Sequence, residues 1–253
     1  MADMVTKVLH FVYQEVRGLH QAAYILALFA FGSQLLAIVR DRLFAHTFGA
    51  GNELDLYYAA FRIPDLLFVL FASVLSVYVL LPFVNRSIES KGEKAGADIL
   101  AQVFSIFLFA YAVIAVVLAV TAPWYVPKLF PGFVGQHDIL TTLTQILLLQ
   151  PFLLGLSSLC GVVTQMNHRF VLYAISPLLY NLGIILGIIL FYPFLGLVGL
   201  VVGVVFGALG HLLVQVPFVR SSEYRFGFLS KIDWRLMREI FAISIPRALT
   251  LSV

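Results

Sequence analysis

The chain has 253 residues, of which 61% are hydrophobic and 11% charged, with a mean hydropathy of +0.99. That balance excludes an ordinary water-soluble domain. The single cysteine, Cys160, excludes a disulfide framework or a cysteine metal centre within one chain. The net charge of +3 needs no nucleic acid to explain it, because anchoring at an anionic inner leaflet accounts for a mildly basic membrane protein.

Residues 1–20 place Val5, Val8, Leu9 and Val12 on one helical face, with Lys7, Gln14 and Arg17 elsewhere. They read as a short interfacial helix, and no cleavable signal peptide is evident. Apolar runs long enough to cross a bilayer follow at 22–39 (running on towards 47), 54–84, 99–124, 139–166, 171–194 and 195–219. A seventh begins near Leu236. The expected organisation is an all-α polytopic membrane protein. It comprises the interfacial helix at 1–20, a six-span lobe at 21–219, a basic cytoplasmic linker at 220–235 and the start of span seven at 236–253. The linkers are expected at 85–98, 125–138 and 167–170. Pro127, Pro131 and Gly132 are expected to stop the helices around the second of them.

With the N-terminus in the cytoplasm, eleven Lys and Arg residues fall on inside segments and three, Arg40, Arg42 and Lys128, on outside ones. This bias predicts an N-in orientation with the turn at 49–53 outside. Gln145, Gln150, Asn181, His211 and Gln215 lie within spans and are expected to face other helices as interhelical hydrogen-bonding groups. The six histidines show no ligand spacing, and no nucleophile motif, phosphate loop or zinc signature is present. An enzyme, a resident cofactor and a metal site are therefore not expected.

Charge concentrates in one place. Of 16 basic and 13 acidic residues, seven lie between positions 40 and 65: Arg40, Asp41, Arg42, Glu53, Asp55, Arg62 and Asp65. An ionisable group at mid-membrane costs about 2.5–3.5 kcal/mol even on the mildest scale, so such groups line cavities, find partners or handle polar cargo. Arg40 and Asp41 should point about 100° apart on a helix, one to a cavity and the other to a neighbour; snorkelling of Arg40 and Arg42 to lipid phosphates is the equal alternative. Asp55 and Arg62, two turns apart, share a face of span two, and Arg62 and Asp65 can pair. Pro64 should bend that span and Pro177 span five.

The residues from Gln34 to Pro64, together with Ala122-Pro123-Trp124, Pro131-Gly132-Phe133, Asn167, Arg169, Phe170, Pro177, Leu178, Asn181 and Pro246-Arg247, occur in an order that resembles the N-terminal half of the MurJ/MviN family of lipid II flippases. That family belongs to the multidrug/oligosaccharidyl-lipid/polysaccharide exporter superfamily. The resemblance implies about fourteen spans in two lobes around a cationic cavity. It implies alternating access that carries undecaprenyl-pyrophosphate-linked peptidoglycan precursor from the inner to the outer leaflet of the bacterial inner membrane. The partners it implies are that lipid, the bilayer, and a second lobe supplied by further chain or a second copy. Energy would come from a coupling ion or the membrane potential. Arg40, Asp41, Asp55 and Arg62 align with the family's cavity positions, and Gln34 and Asn181 are secondary candidates. A forked, permanently charged guanidinium suits a pyrophosphate.

The sequence also departs from the family. Gln34, Phe68 and Val69 stand where basic residues are common, and Ser73-Val74-Leu75-Ser76 replaces a segment that contains an acid. Two other readings stand beside this one, the first of them favoured by these departures. One is an exporter of another polyprenyl-linked glycan or of an amphipathic solute; the other is a non-transporting scaffold or partner subunit.

Overall fold

The computed structural model describes residues 12–224, 226–227 and 232–251. Most of the expected interfacial helix and part of the basic linker lie outside these residues. The described chain is a helical membrane bundle. Its elements are α1 (Leu19–Phe48), α2 (Asn52–Leu75), α3 (Val77–Lys91), α4 (Glu93–Leu129), α5 (His137–Leu147) and α6 (Leu149–Met166), followed by α7 (Phe170–Leu186), a π turn (Gly187–Phe191), α8 (Tyr192–Leu195), α9 (Leu197–Leu213), α10 (Val216–Ser221) and α11 (Trp234–Leu251). They form six apolar stretches long enough to span a bilayer, Leu19–Phe48, Asn52–Lys91, Glu93–Leu129, His137–Met166, Phe170–Leu195 and Leu197–Ser221.

Most helices outrun their expected ends. Hydropathy marks where the bilayer stops, whereas a helix continues through good helix formers in water. The expected linker at 85–98 is accordingly helical except at Gly92, whose φ of 86° separates α3 from α4. Charged helix formers such as Arg86, Glu89, Glu93 and Lys94 continue the coil on either side of it. Helix α1 likewise runs to Phe48, so Arg40-Asp41-Arg42 lie inside it, about two turns before its end. The turn to α2 is Gly49-Ala50-Gly51, where Gly49 has a φ of 57°.

The interruptions also differ from expectation. Helix α2 continues through Pro64 and stops at Ser76, whose extended backbone (ψ 132°) starts α3 in a new direction. Span four, expected to be continuous, is divided at Leu148 between α5 and α6. Pro151 provides the cause, because it has no N–H to donate to the carbonyl of Leu147, four residues earlier. The Tyr111 hydroxyl of α4 donates to the neighbouring Leu148 carbonyl.

Pro127, expected to help end a helix, sits with Pro123 inside α4, which reaches Leu129. Pro123 leaves the Ala119 carbonyl without its usual donor, and Gln145 of α5 supplies one, Nε2 to O at 2.8 Å. In a membrane an unpaired carbonyl has no water to turn to, so this amide lets α4 tolerate the proline.

Helices α7 and α9 meet backbone to backbone. Gly183 and Gly187 of the α7 arm face Gly203 and Gly207 of α9 at i, i+4 spacing. A Cβ on Gly183 would lie 2.2 Å from the Gly207 Cα, and one on Gly203 would lie 2.3 Å from the Gly187 Cα. Only glycine allows such backbone contact, and dispersion across it holds the two helices together where lipid offers no hydrophobic drive. Pro193 follows the π turn. It removes the donor to Ile189, and the widened turn absorbs the break before Gly196 reverses the chain with a φ of 59°. Around this pair the core divides into two clusters, one about Leu80, Leu100, Phe107 and Leu159, the other about Phe44, Leu56, Leu140 and Leu200.

The loop from α6 to α7 anchors the N-terminal segment. Residues 14–18 are non-helical. Val16 N donates to His168 O at 2.9 Å, and Arg169 donates to the Tyr13 carbonyl, with its guanidinium 5.4 Å from the centre of the Phe218 ring.

Two outcomes test this account. Gly183→Val should destabilise the purified protein by at least about 3 kcal/mol because backbone blocks the new side chain. Gly210→Ala, whose Cβ would meet Leu179 at an ordinary 3.6 Å, should be near neutral; thermal unfolding in detergent compares them. Gln145→Met should cost about 1–3 kcal/mol by orphaning the Ala119 carbonyl. In a double-mutant cycle that cost should shrink on a Pro123→Ala background, which restores the missing N–H.

Candidate functional site

Four residues of the charged block line a cavity of about 300 Å³ between α1, α2 and α7. Arg40 and Asp41 reach it from α1, Arg62 and Asp65 from α2, and Tyr180 and Ile184 from α7. Its wall is aromatic: Tyr57, 4% exposed, packs against Phe44 and Phe61 with ring centres 5.0 and 4.8 Å apart. Asp65 and Tyr180 also line a second, larger lobe of about 530 Å³ between α2, α6, α7 and α9, so the two spaces share a wall.

Arg40 organises the smaller lobe. Its Nε and Nη2 contact Asp41 Oδ1 at 2.9 and 2.8 Å, and its Nη1 donates to Asn181 Oδ1 at 2.9 Å. Asn181 Nδ2 donates to Ser33 Oγ at 3.1 Å and to the Pro177 carbonyl at 3.2 Å. Asn181 therefore fastens α1 to α7 and orients the guanidinium from one side while Asp41 does so from the other. The expected divergence of Arg40 and Asp41 does not occur, because the long arginine side chain folds back onto its neighbour and both line the same cavity.

Arg62 and Asp65 also share the cavity, but among the described residues no ion pair within 4.0 Å joins them. The two arginines and two aspartates around the smaller lobe balance in formal charge. Among the described residues, Arg62 is the cation of this lobe not already paired with a carboxylate.

Two other sequence candidates lie elsewhere. Asp55 is exposed in the first turn of α2, away from the lining residues, where it faces the positive end of the helix dipole. Its shared helical face with Arg62 does not bring both to the cavity, because Asp55 is about 10 Å nearer the helix end. Gln34 is exposed on α1 and lines neither lobe. Glu53 accepts a hydrogen bond from Tyr192 at 2.6 Å, and Asn52 donates to Gln136 at 2.7 Å, so the α1–α2 turn is tied to two neighbouring segments.

The residues that sequence reasoning did not single out for the site are chiefly Tyr57, Phe61 and Tyr180. In a chain with 14% aromatic residues, nothing local distinguishes a cavity aromatic from one that faces lipid. Among the described residues, no group of three His, Cys, Asp or Glu side chains is placed to hold a metal.

These features define a polytopic helical membrane protein with a charged cavity inside its bundle. The family model for the lipid II flippase MurJ matches residues 44–253. A probable lipid II flippase MurJ of Buchnera aphidicola (subsp. Acyrthosiphon pisum) is 28% identical over 192 residues, which is 74% of this chain and 38% of the relative. The lipid II flippase MurJ of Burkholderia cenocepacia is 27% identical over 196 residues, 76% of this chain and 38% of the relative. A solved structure described as lipid II flippase MurJ in an inward closed conformation superposes with a TM-score of 0.70. It has 21% identity and covers 90% of this chain and 47% of its own, and the likeness supports the fold. The chain belongs to the MurJ lipid II flippase family. It spans about 29–43% of the length of these and other curated relatives that it matches.

The Arg40–Asn181–Ser33 chain predicts a specific loss. Asn181→Leu leaves Arg40 Nη1 and the Ser33 hydroxyl without their partner and should destabilise the α1–α7 contact by about 1–3 kcal/mol. Asp55→Asn should remain within about 0.5 kcal/mol of the parent, as exposed substitutions do. Thermal unfolding in detergent separates the two.

Proposed function

We propose that this chain forms the N-terminal lobe of a flippase that moves lipid II, a polyprenyl-pyrophosphate-linked peptidoglycan precursor, from the inner to the outer leaflet of the bacterial inner membrane. The observation that carries the reading is Arg40 and Arg62 lining one cavity within membrane-spanning helices in a chain of this family. A cation inside the bilayer is costly unless it has work or a partner, and a pyrophosphate is a guest that two guanidinium groups can hold by charge-assisted hydrogen bonds.

In this reading Arg62 meets the anion first. Arg40, held in place by Asn181, exchanges its contact with Asp41 for one with phosphate oxygens. Alternating access then needs a second lobe facing this one, from further chain or a second copy. The N-terminus is cytoplasmic, in accord with the excess of Lys and Arg on inside segments. The protein acts as a transporter and makes or breaks no covalent bond. It holds no resident cofactor, and a coupling ion or the membrane potential supplies the driving force.

The test is equilibrium binding of undecaprenyl pyrophosphate and of uncharged undecaprenol to the purified chain in detergent. The pyrophosphate lipid should bind more tightly. Arg62→Gln and Arg40→Gln should each weaken it about tenfold, the equivalent of one charge-assisted hydrogen bond. Asp41→Asn should tighten it by freeing Arg40. Equal binding of the two lipids, or pyrophosphate binding indifferent to both arginine substitutions, would overturn the proposal.

A further inference from the structure

The larger lobe of the cavity has a chemistry of its own. Among the described residues that line it Asp65 alone is charged, at the wall shared with the arginine lobe. The other polar groups, among them Gln150, Ser158, Asn181 and His211, are amides, hydroxyls and an imidazole, and Phe68, Tyr173 and Tyr180 add flat apolar faces. The volume of about 530 Å³ falls within the size range of small-molecule pockets.

Gln150 marks this lobe as a place for a ligand. It is only 4% exposed. Its amide nitrogen donates to the Tyr180 hydroxyl at 3.3 Å, and among the described residues its Oε1 has no hydrogen-bond partner. A buried acceptor left unpaired in a membrane protein is expensive, and a guest carrying an O–H or N–H would relieve it. Gln215 and Thr164 show the contrast. They are equally deep but satisfied within the bundle, with Gln215 Nε2 donating to Ser157 Oγ at 2.7 Å and Thr164 Oγ1 to Gln215 Oε1 at 3.3 Å.

Donors are available beside the orphan acceptor. The Tyr180 hydroxyl accepts from Gln150 and keeps its own proton to give. Ser157 Oγ lies 2.7 Å from His211 Nδ1, and when that hydroxyl donates, His211 carries its ring proton on Nε2. A site for an anion would offer donors and positive charge, and a site for a cation would offer acceptors alone. This one mixes neutral donors with neutral acceptors against aromatic faces. That combination suits a polyhydroxylated ring, whose hydroxyls both give and accept and whose C–H faces pack on aromatic side chains.

We infer that the larger lobe is a subsite for an uncharged sugar ring of a lipid-linked glycan, with Gln150 and Tyr180 as its specificity-determining residues. The inference rests on the transport reading above and extends it: the arginine lobe takes the pyrophosphate, and the neutral lobe across Asp65 and Tyr180 takes the sugar. The two lobes share a wall, as two linked parts of one headgroup require.

The experiment measures a ratio. The purified chain in detergent is titrated with undecaprenyl pyrophosphate and with the same lipid bearing an N-acetylated disaccharide without peptide. The parent chain should prefer the glycan-bearing lipid about tenfold, the equivalent of roughly one well-made buried hydrogen bond. Gln150→Met should abolish most of that preference. Tyr180→Phe, which keeps the ring and removes only the hydroxyl, should lower it about threefold. Arg62→Gln should weaken both lipids and leave the ratio as it was. A parent ratio of one, or a ratio unchanged in both Gln150→Met and Tyr180→Phe, would overturn the subsite. If Gln150→Met fails to fold, Tyr180→Phe decides alone. Binding of the bare lipid reports separately on the transport reading, so failure of that reading is told apart from failure of the subsite.

Discussion

The backbone contact between α7 and α9 is the constraint on which the site depends. Gly183 and Gly187 meet Gly203 and Gly207 so closely that one methyl group would not fit between them. In lipid, apolar helices gain little by hiding from their surroundings, so association rests on dispersion and on the few polar bonds that can be made. The glycines supply the first. They bring α9 against the face of α7 that carries Tyr180, and a Cβ on Gly207 would lie 2.4 Å from the Tyr180 carbonyl. Tyr180 and Asn181 are thereby held on a rigid element; Tyr180 lines both lobes of the cavity and Asn181 the larger one. Helix α1 is then seated on α7, with Asn181 between Arg40 and Ser33.

A second constraint is the fate of backbone groups that proline disables. Ten prolines in 253 residues are many for a bundle that must satisfy its carbonyls without water. At three of them the fold answers locally and differently. Gln145 reaches across to Ala119, the chain divides at Leu148 ahead of Pro151, and a π turn precedes Pro193. The buried amides of this protein are therefore mostly structural. That makes the exception informative: Gln150 has an acceptor that none of the described residues uses.

Much of this was legible in the sequence, for reasons that also explain what was not. Six spans could be read because bilayer thickness imposes a length on apolar runs. Arg40, Asp41 and Arg62 could be singled out because charge within such runs is costly, and the structure places all three around one cavity. Asp55 carries the same formal signal, yet it lies in the first turn of α2, where charge is cheap. Helical spacing reports which face a residue occupies but not how deep it sits. Helix ends were misplaced because hydropathy changes at the water boundary while hydrogen bonding continues, as through 85–91. The breaks at Ser76 and Leu148 have no compositional mark at the residue itself. Tyr57 and Tyr180 were invisible for a further reason: their importance comes from packing partners distant in sequence.

The balance of charge around the smaller lobe bears on how such a site would work. Arg40 with Asp41 and Arg62 near Asp65 leave no formal excess, which keeps an empty cavity tolerable in a low-dielectric setting. On the proposed reading, a pyrophosphate must compete with Asp41 for Arg40, so part of the gain from the new ion pair offsets the loss of the old one. A binder that only captures its ligand would be better without that competition. A transporter is not, because a cargo held too tightly would not leave on the far side. On that reading Asp41 would complement Arg40: it would return the guanidinium to a neutral partnership as the anion departs, and between turnovers it would spare the site the cost of an unpaired cation in the bilayer.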